Sequence, residues 1–186
     1  MAVIVNGFPK TGTHALLKGV HLLGFPVARD PGESGCATHG HFPYPFDKDF
    51  PPVRKHICVF RHPRNCLISM CRWQKQPLAT GVLISLIRKY EHNMAMASFA
   101  RQFTPWLTNQ SVHIVRYEEL ITNENILRGV AEYLEVPYLE DAFEYLPGLT
   151  RTWMPTHSNW EEYWSDELDK VWQASGMAEV QSRWNY

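Results

Sequence analysis

Short apolar runs alternate with stretches whose apolar residues recur every three or four positions. Val3-Ile4-Val5, His56-Ile57-Cys58-Val59-Phe60 and Val112-His113-Ile114-Val115-Arg116-Tyr117 read as strands, the second nearly continuous in the manner of a strand buried on both faces. Ala15, Leu16, Val20 and Leu23 fall on one helical face, so a helix is predicted from Thr13 to Leu23, with Gly24 as its stop. Pro63 sits where the first turn of another helix would begin, and Cys66 to Trp73 continues it. One longer helix is predicted over Thr80 to Phe103. Shorter ones are predicted over Asn123 to Leu134 and Tyr138 to Tyr145, and one capped by Ser165 runs to about Ala174. Phe25 to Ala28 reads as a short strand, and Arg29 to Gly35 and Arg151 to Trp160 read as loops. Cys36 to Gly40 reads as a strand edge, and Pro43 and Pro45 then remove the donors that regular structure needs. Strands alternating with helices imply an α/β fold with a parallel sheet, whose ligands lie at the carboxyl ends of the strands.

Length and composition set wide limits. The 186 residues, 45% hydrophobic, fit one domain over the whole chain with a real core. A net charge of −1 gives no global pull toward nucleic acid or membrane. The charges are unevenly spread. Phe50 to Tyr90 has no Asp or Glu but carries Arg54, Lys55, Arg61, Arg64, Arg72, Lys75, Arg88 and Lys89. This window is either a solvated helix face or one wall of an anion site. Cys36, Cys58, Cys66 and Cys71 form no C-x-x-C pair, so free thiols are expected and no metal is implied. No signal peptide and no apolar run of membrane-spanning length are visible, which points to a cytoplasmic protein.

The chemistry concentrates in Asn6-Gly7-Phe8-Pro9-Lys10-Thr11-Gly12-Thr13-His14, between the first strand and the first helix. Such a loop aims backbone N–H groups and a helix N-terminus at one spot, which suits a phosphate. Lys10 adds a mobile cation, Thr11 and Thr13 add hydroxyls, and Gly12 permits close approach to an anion. It is not a Walker A loop, because Lys10 precedes Gly12 rather than following it. A second cluster is Arg61 at a strand end with Ser69 eight residues later in a helix, a pairing that could grip another phosphate. A third is His39-Gly40-His41-Phe42-Pro43.

The order Pro9-Lys10-Thr11-Gly12-Thr13 resembles the 5′-phosphosulfate loop of sulfotransferases that use 3′-phosphoadenosine 5′-phosphosulfate (PAPS). Arg61 and Ser69 resemble that family's 3′-phosphate motif. His39 to Pro43 resembles its Lys-Thr-His-Leu-Pro and Gly-His-Leu-Pro-Tyr segments, and Arg116 to Leu120 its Tyr-Glu-[Asp/Glu]-Leu. The resemblance implies a P-loop-like three-layer fold, a small central parallel sheet between helices. It implies sulfuryl transfer from PAPS, with adenosine 3′,5′-bisphosphate (PAP) as product, to an acceptor hydroxyl or amine. In that scheme His41 is the general base and Lys10 stabilises the leaving phosphate. Thr11, Gly12, Thr13 and His14 join Lys10 around the 5′-phosphate. Arg61, Ser69 and, from a looser late match, Arg151 hold the 3′-phosphate, and Tyr117 meets adenine. His39 stands where cytosolic relatives carry Lys and is a further catalytic candidate. Ala15 replaces the relatives' adenine-stacking Trp, and the short span from the loop to His41 leaves little room for acceptor-site helices. The acceptor could be a small molecule, a glycan or a peptide, with no nucleic acid or membrane partner, and a homo-oligomer is left open. Two alternatives stand beside this reading: a relative that binds PAP or another polyanion without transfer, and a small-molecule kinase, which would need a Walker A loop and a metal carboxylate.

Overall fold

Four parallel strands form the sheet, in the order β2-β1-β3-β4. They are β1 (Ala2–Asn6), β2 (Ala37–Gly40), β3 (Arg54–Phe60) and β4 (Val112–Arg116). The computed structural model describes residues 1–28, 33–45, 54–146 and 159–186. Register fixes the site. Asn6 lies level with Gly40 on one side and Cys58 on the other, and Phe60 lies level with Arg116. The loops that leave β1, β2, β3 and β4 therefore emerge at one edge of the sheet.

Helices cover both faces, as the near-continuous apolar strands require. Val3, Val5, Ile57 and Val59 pack toward α1 (Thr13–Leu22) and α6 (Glu124–Leu134). The alternate residues Cys58 and Phe60 face the other way, into a core built from α2 (Pro63–Trp73), α3 (Thr80–Arg88), α4 (Met96–Arg101), α7 (Asp166–Ala174) and α8 (Met177–Arg183). The short α5 (Tyr117–Leu120) follows β4 directly. The three-layer α/β architecture expected from the sequence is the one observed. Cys58, Cys66 and Cys71 are buried free thiols, and Cys36 is a partly buried one. No described helix is long and apolar enough to cross a membrane.

Three expectations differ from the structure. The helix predicted over Thr80 to Phe103 is broken: α3 ends at Arg88, and α4 starts only at Met96, with a 3-10 turn at Thr104–Thr108 beyond it. Between α3 and α4 the chain reverses, with His92 and Asn93 both left-handed at φ 49° and 61° and a bridge joining Glu91 to Met94. Tyr138 to Tyr145 forms turns rather than a helix. Ala142 and Leu146 are buried and Tyr138 and Phe143 pack against the core, while Leu139 and Tyr145 are exposed, so the segment is held by turns that anchor a few side chains rather than by a continuous helical face. Phe25 to Ala28 contributes only a single bridge, Val27 to Ala37. Helix α8 was not anticipated. It starts after Gly176, left-handed at φ 81°, and buries Met177 and Val180, with Trp184 just beyond its end.

Candidate active site

Asn6 organises the edge where the strands end. It is fully buried, and its side-chain Oδ1 accepts from the N–H groups of Gly7 and Phe42, each at 2.8 Å. Its Nδ2 donates to Phe42 O at 3.0 Å. One amide thus ties the loop after β1 to the segment after β2, and so sets where His41 stands. Sequence reading gave Asn6 no role. The signal was there, a polar amide closing a wholly apolar strand just before a glycine.

The loop itself is tightly folded. The backbone N–H and the hydroxyl of Thr11 both donate to Phe8 O, at 3.1 and 2.6 Å. Thr11 is fully buried, so in this conformation its hydroxyl shapes the loop rather than pointing out of it. Gly12 is left-handed at φ 103°, and a Cβ there would lie 2.2 Å from the Tyr117 ring, so both conformation and space demand glycine. The N–H groups of Lys10, Gly12, Thr13 and His14 find no acceptor among the described residues. Helix α1 has neither a side-chain cap nor an acid in its first turn, which leaves the positive end of its dipole uncompensated. A group of phosphate size and charge fits these donors.

Cations reinforce that end. Lys10 is held left-handed at φ 70°, the sort of backbone strain that clusters at functional sites. Its ammonium lies 4.9 Å from the ring centre of Trp73, and burial, then the nearby Arg61, lowers its pKa. Arg61, only 6% exposed, leaves the end of β3 and donates to Lys10 O at 3.3 Å. Its guanidinium rests 4.4 Å from the Tyr117 ring centre. Tyr117 is buried between Arg61 and Gly12. Ser69 is partly buried on α2, one turn after the buried Cys66 and one turn before Trp73.

Three histidines complete the site. His41 Nδ1 lies 2.7 Å from Gly7 O. A carbonyl can only accept, so Nδ1 carries the proton, and the neutral ring keeps a bare lone pair on Nε2. Burial lowers the His41 pKa, while the Gly7 carbonyl and Glu91 pull it back up. His39 comes from β2 level with Val5, and its ring centre lies 4.3 Å from that of His14. Burial, then His14 and His41, holds His39 down to about 4, so it is neutral at pH 7. It therefore does not reproduce the charge of the lysine found there in the resembling family. The His14 pKa is also lowered, by burial and then by His41 and Lys10.

The structure thus gathers Lys10, Thr11, Gly12, Thr13, His14, His39, His41, Arg61 and Tyr117 at one edge of the sheet. Arg151 lies outside the described residues. Among those described, no group of histidine, cysteine and carboxylate side chains could hold a metal ion.

No protein-family model matches the sequence, and no curated protein matches it. Solved structures do match. The mouse sulfotransferase SULT7A1, complexed with PAP, superposes with a TM-score of 0.74 at 13% identity, covering 99% of this chain and 88% of that one. Retinol dehydratase, in complex with androsterone and the inactive cofactor PAP, gives 0.73 at 11% identity over 96% of this chain and 80% of that one. The sulfotransferase domain of the Synechococcus PCC 7002 olefin synthase gives 0.56 at 12% identity, covering 100% and 94%. At such identities the likeness speaks to the backbone alone, and over nearly its whole length the chain has the fold of the sulfotransferases.

Proposed function

We propose that this chain, as a single unit, is a PAPS-dependent sulfotransferase acting on an acceptor hydroxyl or amine. The observation that carries the reading is the pairing of two features at one edge of the sheet. One is a helix N-terminus whose first N–H groups have no acceptor among the described residues, with Lys10 and Arg61 beside it. The other is a histidine whose tautomer leaves Nε2 ready to accept a proton. PAP in the matching mouse and retinol dehydratase structures supports the same cofactor here.

When bound, PAPS supplies the sulfuryl group. The N–H groups of Gly12, Thr13 and His14 hold its 5′-phosphate at the head of α1. Arg61 and Ser69 hold the 3′-phosphate. His41 Nε2 takes the acceptor proton as the acceptor atom bonds to sulfur and the bond from sulfur to the phosphate oxygen breaks. Lys10 stabilises the negative charge that gathers on that departing oxygen, so PAP leaves as the free bisphosphate. Most of the catalysis is then positioning and fixed charge, as in phosphoryl transfer.

A transfer assay with labelled PAPS and a panel of hydroxyl and amine acceptors tests this. Labelled product from wild-type protein, absent with His41→Ala, is the expected result. No product with any acceptor would remove the transferase activity. One observation favours a second reading, a PAP-binding protein without transfer: the neutral His39 in a position where the resembling family carries a cation.

A further inference from the structure

Beside His41 an open cleft of about 300 Å³ is lined by Pro9, His41, Glu91, Met94, Phe99 and Gln102 among others. It exists because the chain reverses between α3 and α4 instead of continuing as a helix, which brings Glu91 and Met94 to the mouth of the site. Pro9, Met94 and Phe99 make most of one wall apolar. The polar groups of the cleft come from His41, Glu91, His92 and Gln102, and Glu91 is the one carboxylate among the described lining residues. Its side chain is half-buried, yet among the described residues it makes no hydrogen bond and no ion pair. It stands close enough to Lys10 and His41 to raise both their pKa values by its charge, but its carboxylate is not in ion-pair contact with either.

A partly desolvated carboxylate without a partner is costly, and it persists where a ligand supplies the partner. A sulfuryl donor cannot be that ligand, because it is anionic. The cleft also contains the proton acceptor, so what enters it is what His41 would deprotonate. We propose that the acceptor is a molecule bearing an ammonium group, which pairs with Glu91 while its apolar body lies against Met94 and Phe99. This rests on the sulfotransferase reading of the site and adds the acceptor class to it.

The test uses two probes of matched size, 4-(2-aminoethyl)phenol and 4-propylphenol, which carry an ammonium and a methyl group at the same position. Each is titrated calorimetrically into the full-length protein, with and without saturating PAP. The ammonium probe should bind roughly tenfold or more tightly than the neutral one, the scale of a charge-assisted contact. Glu91→Gln should collapse that preference. Glu91→Lys should reverse it in favour of 3-(4-hydroxyphenyl)propionate, whose carboxylate carries the opposite charge. Circular dichroism of both variants checks that they fold.

Equal affinity for the two probes would overturn the proposal. So would binding of neither, or a preference that survives Glu91→Gln. Equal loss of both probes in Glu91→Gln would make Glu91 a residue that positions His41 and would also overturn it. PAP affinity of the wild-type protein is read in the same experiment. PAP binding without a charge preference sinks the acceptor class alone, whereas no PAP binding sinks the sulfotransferase reading itself.

Discussion

Arg61 and Arg64 stand three residues apart and live in opposite surroundings. Arg64 is held by aromatic rings and a carboxylate, though its buried Nε finds no hydrogen-bond partner among the described residues. Its guanidinium lies 4.2 and 4.4 Å from the ring centres of Trp160 and Trp164, and it pairs with Asp169 at 2.7 Å. Asp169 in turn accepts from Trp164 Nε1 at 3.2 Å, and His62 stacks on Trp160. This seam fastens α2 to the segment that starts at Asn159 and leads into α7. Arg61 instead borders a loop whose N–H groups at Lys10, Gly12, Thr13 and His14 have no partner among the described residues. The seam is built from closed contacts, and the loop from open ones. Closed contacts report stability, while open donors and an unpaired carboxylate report a ligand.

That division makes predictions that can break it. The largest effect is expected from His41→Ala, which should lower kcat by roughly 10²- to 10⁴-fold while PAP affinity and the urea midpoint barely move. Steady-state kinetics beside a PAP titration check it, and unchanged turnover would shift the base to His39. Lys10→Ala should lower kcat by about 10²-fold or more, with a smaller loss of PAP affinity. An equal loss in both would mean that Lys10 only binds. On the closed side, Arg64→Ala should cost about 2–4 kcal/mol in urea unfolding, by leaving Asp169 unpaired and three indoles without their cation, and should leave turnover per folded molecule intact. Gly12→Ala straddles the division. Strain at φ 103° and the close Tyr117 ring should cost roughly 1–3 kcal/mol and also weaken PAP binding, since the loop must move.

A last prediction concerns pH. His39 and His62 are both held down to about 4, chiefly by burial. Nδ1 of His62 also accepts from Arg64 N at 3.3 Å as the cap of α2, which protonation would forbid. A depressed histidine stabilises the fold above its ordinary value of 6.5 and loses that contribution as pH falls toward 4. The urea midpoint should therefore decline between those values, and His39→Asn should flatten part of the slope. A midpoint flat across that window would contradict the burial of both rings.

Much of this was legible in the residues. β1, β3, β4, α1, α2, α6 and α7 follow apolar periods with ordinary starts and stops, and the loop from Gly7 to His14 carries its chemistry in its order. The missed features depended on tertiary context. Nothing local says that His92 and Asn93 turn left-handed, although a His-Asn pair tolerates that conformation better than most. Helix α8 is short, and its apolar residues make sense only with Gly176 as their start. Asn6 looked like one residue of a motif, and its grip on Phe42 appears only when β2 is laid beside β1. The neutrality of His39 likewise comes from packing that no spacing reveals.

The central claim is that the open donors at the head of α1 hold PAP. Calorimetric titration with PAP, run beside ATP with magnesium, addresses it most directly. Saturable PAP binding that is lost in Arg61→Ala, with no binding of ATP, is the predicted result. Binding of ATP in preference to PAP, or of neither, would contradict it.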